Sequence, residues 1–120
     1  LQSHSTSNVC SITQKAVVAA LTGPQQCVTD MLDEYRRRRE YIWGLITADP
    51  RLACLKPAGA FYLFVDVSAL LSPDGLRTSA DFCQAMLEDR HVVVTAGEAF
   101  DAPGFFRISY AASTDVLAEA

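Results

Sequence analysis

Histidine is scarce in this chain. His4 and His91 are the only two among 120 residues, so a zinc site has little to build on and no metal is expected. Cysteine pairs are missing as well: Cys10, Cys27, Cys54 and Cys83 are widely scattered, with no Cys-x-x-Cys. Scattered cysteines in apolar contexts predict reduced core residues rather than a disulfide framework. No apolar run is long enough to cross a bilayer. The polar start Leu1-Gln2-Ser3-His4-Ser5-Thr6 shows no signal peptide, so a cytoplasmic protein is expected. Excess positive charge is also lacking. A net charge of −4 argues against binding nucleic acid through charge alone. There is no repeat and no low-complexity segment. The missing initiator Met points to a fragment or a processed chain.

Half of the residues are hydrophobic, so the chain can build a core, and its length suits one modest domain. Ser11 to Leu21 carries Ile12, Val17, Ala20 and Leu21 at positions that suit a helix packed in a core. Gly23 fits just past its end and Pro24 fits the first turn of the next helix. That next helix runs long, from about Pro24 to Ala48, with Val28, Met31, Leu32, Tyr35, Ile42 and Ile46 at helical spacing. Asp49-Pro50 stops it. Ala60 to Val67 is rich in aromatic and β-branched residues and reads as a strand. Ser79 to Asp89 reads as an amphipathic helix with Phe82, Met86 and Leu87 turned inward and Thr78 or Ser79 as N-cap. Val92-Val93-Val94 reads as a short strand, residues 97–104 as a glycine- and proline-containing loop, and Phe105 to Tyr110 as the last strand. Ser113 caps a final helix, with Asp115 in its first turn. Helix, long helix, strand, helix, strand, strand, helix is the order of an α/β sandwich: a small sheet with helices packed on it.

Two arginine features invite a functional reading. Arg36-Arg37-Arg38-Arg39 resembles a basic patch. However, successive helical residues point about 100° apart, so the four spread around the helix. Asp33–Arg37, Glu34–Arg38 and Arg36–Glu40 are i,i+4 pairs, which favours a solvated, ion-paired helix. Arg107 differs. It stands alone in the apolar strand Phe105-Phe106-Arg107-Ile108-Ser109-Tyr110-Ala111, where no acid accompanies it. A guanidinium in such company needs an anionic partner to be cheaply buried, and its planar fork suits a carboxylate bidentately.

Three segments now stand out in order: Gln2-Ser3-His4-Ser5-Thr6-Ser7-Asn8, Pro57-Ala58-Gly59-Ala60-Phe61-Tyr62 and Arg107-Ile108-Ser109-Tyr110-Ala111. Together with Ser11-Ile12-Thr13-Gln14-Lys15-Ala16 and Tyr35-Arg36-Arg37-Arg38-Arg39, they resemble the C-terminal part of class I aminotransferases. These are the fold-type I pyridoxal-phosphate enzymes, and the bacterial-type aspartate aminotransferase subgroup looks nearest. The resemblance covers essentially the whole chain. It implies that residues 1–22 are the tail of the large cofactor domain and residues 23–120 the small C-terminal domain, a two-layer α/β sandwich with a long interdomain helix. It implies that Arg107 grips the substrate α-carboxylate and that Gly59 and Phe61 line the substrate side. Phe61 and Tyr62 alternate across the strand, so one of them faces the core. Thr6, Ser7 and Asn8 would tip a loop that reaches the active site of the neighbouring subunit in a dimer.

The chain departs from the family pattern at Ala96-Gly97, where Pro-Gly is usual, and at Phe100-Asp101, where Phe-Gly is usual. Asp tolerates a left-handed backbone better than most residues. The family's Schiff-base lysine lies in a Ser-Lys segment upstream. Only Lys15 and Lys56 occur here, and neither has that context. The expectation is therefore a whole protein that uses pyridoxal 5'-phosphate to move an amino group between an amino acid and a 2-oxo acid. The 120 residues alone are expected to bind no cofactor and to be inactive. A carbon–sulfur lyase or a cyclopropane-carboxylate synthase on the same scaffold is the alternative, as is a non-catalytic binding or dimerisation module. No nucleic acid and no membrane are expected as partners.

Overall fold

A computed structural model describes residues 9–120. Two compact units divide the chain within its long helix: one ends at Asp33, and the other runs Glu34–Ala120.

In the first unit, helix α1 covers Ser11–Thr22. The gain expected from packing it in a core is not realised within this chain. None of its residues is buried, and Ile12, Val17, Val18 and Leu21 are all exposed. A helix with so continuous an apolar surface is one that needs covering on more than one side. Gly23 ends it without the left-handed turn the sequence suggested. Its φ is −77° and its N–H donates to Ala19 O. Glycine is required there for space, because a Cβ would meet Ala19 O at 2.6 Å. Helix α2, Gln26–Ala48, begins in this unit and continues into the second.

The second unit is a two-layer α/β sandwich. Strands β1 (Ala53–Cys54), β2 (Tyr62–Asp66), β3 (Thr95–Ala96) and β4 (Phe105–Ser109) form a four-stranded sheet in the order β1-β2-β4-β3, every neighbour antiparallel. Leu63 pairs with Ile108 and Val65 with Phe106, and pairs share a face. This face meets Ile42 and Ile46 of α2, one helical turn apart, and Leu117 of α4 (Thr114–Glu119), while Phe82 of α3 (Ser79–Arg90) stacks on Phe106 at 5.2 Å. Leu63, Val65 and Val67 are completely buried, each contributing about 1.5–3 kcal/mol.

Several local signals come out as the residues dictate. Thr78 caps α3 through a capping box with Asp81, and the Ser113 hydroxyl accepts from the Val116 N–H at the start of α4. All four cysteines are free, but only Cys54 and Cys83 pack against the core, while Cys10 and Cys27 are exposed rather than core residues. Others do not. Val92–Val94 form no strand, since pairing begins at Thr95 opposite Arg107. The reason lies at the end of α3. His91 turns left-handed, and the Val92 N–H is spent on Met86 O, so these residues close the helix instead of opening a ladder. Leu87 is exposed rather than inward, because Phe82 and Met86 occupy the inner stripe. Glu40 pairs with Arg39 and Lys56, and Glu34 pairs with Arg37 and Arg38. The arginine run is thus ion-paired, with partners differing in part from the i,i+4 expectation. No described helix is long and apolar enough to cross a membrane.

Candidate functional site

The period of two that buries Leu63 and Val65 sends Tyr62, Phe64 and Asp66 to the opposite face. The register places Phe64 opposite Arg107, Tyr62 opposite Ser109 and Asp66 opposite Phe105. The sheet therefore has one aliphatic face inside and one aromatic face outside, with Arg107 in the middle of the latter. Phe64 and Phe105 stack with ring centroids 5.1 Å apart, and Phe100 meets Phe64 edge-on at 6.0 Å. Phe64, Phe105, Tyr62, Leu55 and Arg107 line an open depression of about 700 Å³.

Arg107 is half-buried. Its guanidinium carbon lies 4.6 Å from the centroid of Tyr62 and 4.7 Å from that of Phe100. Ring faces attract a cation, by about 0.5–2 kcal/mol each depending on exposure. They supply part of the compensation that the sequence left entirely to an anion. They do not consume the N–H donors along the edge of the fork. Among the described residues Arg107 makes no ion pair, and the nearby Asp66 carboxylate accepts instead from the Ser68 N–H at 2.8 Å. The arrangement can hold an anion, and a planar one best.

Two features of the 96–104 loop put Phe100 against Arg107. Asp101 has φ 54° and ψ 31°, a left-handed conformation that Asp tolerates better than most residues. Gly97 is buried, and a Cβ there would lie 2.1 Å from Ala102 O and 2.6 Å from Phe105 O. Only glycine lets the loop close. Ala96, at φ −64°, has the backbone that proline would also adopt.

The segment before β2 is tied down from outside. The Arg39 Nη1 donates to Pro57 O at 3.1 Å, the Tyr110 hydroxyl to Ala60 O at 2.9 Å, and the Tyr110 N–H to Phe61 O at 2.9 Å. Ala60 has φ 60°, which costs a non-glycine residue about 1 kcal/mol. Tyr110 is 2% exposed. Burial pushes its phenol up, so the hydroxyl keeps the proton it donates. Phe61 lies just ahead of the strand, 41% exposed, with its ring 4.4 Å from that of Tyr62 and 6.2 Å from that of Tyr35. Gly59 has open space where a Cβ would stand. Arg107 and Tyr62 are thus brought together directly, Phe61 reaches Arg107 only through Tyr62, and Gly59 lines the loop. Thr6, Ser7 and Asn8 lie outside the described residues. Sequence reasoning missed the contacts that Tyr62 and Phe100 make with Arg107. The strand alternation held the signal for Tyr62; for Phe100, nothing in the sequence pointed across the loop.

Pyridoxal phosphate needs an amine able to lose its proton beside the substrate, and a cluster of donors for its phosphate. Lys56 Nζ sits 2.5 Å from Glu40 and 5.1 Å from the Trp43 ring centroid, engaged by both. Lys15 lies on α1, in the first unit. The Arg107 face presents the rings of Tyr62, Phe64 and Phe105 around Arg107, with the Ser109 hydroxyl opposite Tyr62. In the unit that carries Arg107, Lys56 is the one lysine, and its ion pair with Glu40 does not fit the free amine this cofactor needs.

The family model for aminotransferase class I and II matches residues 1–120. Aspartate aminotransferase of Geobacillus stearothermophilus is 42% identical over 117 residues, which are 98% of this chain and 30% of that protein. Aspartate aminotransferase of Rhizobium meliloti (strain 1021) is 43% identical over 125 aligned residues, covering 100% of this chain and again 30% of the relative. The crystal structure of the aspartate aminotransferase from Rhizobium meliloti superposes with a TM-score of 0.89 at 42% identity, over 98% of this chain and 31% of that one. Alanine aminotransferase from Pyrococcus furiosus gives a TM-score of 0.79 at 28% identity, over 87% of this chain and 26% of that one. The chain thus spans about 30% of the length of the curated relatives it matches.

Proposed function

The chain belongs to the aminotransferase class I and II family, and we propose that in the whole protein it supplies the arginine that binds the α-carboxylate of an amino-acid substrate. The observation that carries this reading is Arg107 itself: a half-buried guanidinium held over Tyr62 and Phe100, with no carboxylate partner among the described residues. Two parallel N–H···O bonds to a carboxylate fit the fork left open by the rings. Binding the α-carboxylate fixes where the α-carbon of the substrate lies, and that positioning is what this chain contributes to catalysis.

On the same reading the whole protein transfers an amino group between an amino acid and a 2-oxo acid, aspartate being supported by the names of the relatives. The pyridoxal phosphate that such enzymes generally use serves as an electron sink for the substrate. It is held by residues outside these 120, as is the lysine that forms its Schiff base. Residues 1–22 belong with the cofactor domain and residues 23–120 form the small domain. The whole protein is a homodimer in which Thr6, Ser7 and Asn8 reach the neighbouring site. Gly59 and Phe61 line the substrate side, and the 120 residues alone are inactive.

Arg107→Ala in the whole protein is the test. Removing one partner of a desolvated charge pair costs about 2–5 kcal/mol, so kcat/KM for the amino acid falls by about two orders of magnitude or more with the thermal midpoint nearly unchanged. An unchanged kcat/KM overturns the assignment. For the isolated 120 residues, addition of pyridoxal phosphate produces no internal-aldimine absorbance. A band that is abolished by Lys15→Ala overturns that part.

A further inference from the structure

We propose that Tyr110 and Arg39 are positioning residues, which hold the Pro57–Phe61 loop in a strained conformation and thereby set the aromatic support on which Arg107 rests. The inference deepens the carboxylate-binding reading above and rests on it.

Ala60 carries a positive φ of 60°, a conformation that alanine leaves when nothing holds it. The restraint is visible. The Tyr110 hydroxyl donates to Ala60 O and the Tyr110 N–H to the next carbonyl, each at 2.9 Å. Three residues back, Arg39 reaches from α2 to Pro57 O. Arg39 does so with its Nε buried and unpartnered, its fork divided between Pro57 O on the loop and the Glu40 carboxylate, to which Nη2 donates at 2.9 Å. The link to the site is a run of rings. Tyr110 meets Tyr35 at 6.3 Å, Tyr35 meets Phe61 at 6.2 Å, Phe61 meets Tyr62 at 4.4 Å, and the Arg107 guanidinium lies over Tyr62. Tyr110 follows directly on the strand that carries Arg107. One short stretch of chain therefore provides both the anion-binding cation and the clamp on the loop whose ring supports it. Nothing in this arrangement touches the ligand through Tyr110 itself.

The test uses the whole holoenzyme and three variants: Tyr110→Phe, Ala60→Gly, and the two combined. Tyr110→Phe removes only the hydroxyl. One lost hydrogen bond corresponds to about a five-fold change, so half-saturation by L-aspartate rises about five-fold while kcat moves less than about two-fold. Glycine adopts positive φ without strain, so adding Ala60→Gly to Tyr110→Phe restores half-saturation to within about two-fold of the parent. A purely structural role for Tyr110 predicts no such rescue. Deuterium exchange of the peptide spanning residues 57–62 is read alongside: it accelerates in Tyr110→Phe and slows again in the double variant. If exchange and half-saturation are unmoved in Tyr110→Phe, or if Ala60→Gly fails to rescue, the proposal is overturned. If the parent binds no amino acid at all, the carboxylate reading fails, and the exchange pattern alone then decides whether the clamp exists.

Discussion

The two faces of the sheet are made by the same two strands, yet they obey different rules. Leu63, Val65 and Phe106 point inward and are almost wholly buried. Tyr62, Phe64, Phe105 and Arg107 point outward, remain partly exposed, and touch one another ring to ring and ring to cation. The first face is chosen by volume, since close packing penalises any missing methylene. The second is chosen by what the groups can do at a surface that still meets solvent: flat rings support a guanidinium without neutralising it. The same alternation that builds the fold leaves every second residue free for function.

Substitutions can break that comparison. Leu63→Ala opens a cavity in the buried face and lowers stability by about 3 kcal/mol, read as a shift in the urea midpoint. Phe64→Ala, on the other face and 37% exposed, lowers it by only about 1 kcal/mol but disturbs Phe100 and so weakens amino-acid binding. Equal losses of stability at the two positions would abolish the distinction. Thr78→Ala removes the capping box of α3, on the packed side of the sheet, and costs about 1 kcal/mol without altering half-saturation. The smallest effect lies outside both faces. Asp49 is held down to about 2 from 3.8, first by the Arg51 side chain and then by its N–H. A depressed carboxyl contributes stability above its unfolded value and loses it as pH falls through the folded one. Asp49→Asn therefore flattens the acid limb of a stability–pH profile only between about pH 4 and 2. The stability difference between parent and variant is full near neutrality and closes across that window; a difference that does not shrink as the pH falls would place the charge effect elsewhere.

Much of this was legible in the residues. Thr78 with Asp81, Ser113, and the alternation of Tyr62 to Asp66 specify caps and a half-buried strand through contacts only a few positions long. The solitary Arg107 announced a need for compensation by its neighbours alone, and Asp101 was compatible with the left-handed turn it takes. The failures share a cause. Val92–Val94 have high strand propensity, but His91 had already committed the backbone to ending a helix. Leu87 fits an amphipathic stripe, but Phe82 and Met86 fill the available depth. Phe100 meets Arg107 only after a loop folds back, and no periodicity encodes a contact of that kind. The apolar run of α1 promised burial, but an apolar pattern does not encode what it packs against, and none of its residues is buried.

Gly97 carries this further. It touches no ligand-binding group, and its whole contribution is the absence of one carbon between Ala102 O and Phe105 O. Were every position of the gene varied and the survivors counted, this glycine would score alongside Arg107 itself. A map of intolerance would then mark as functional a residue that has no side chain to function with. What it would really be recording is the address at which Phe100 is delivered.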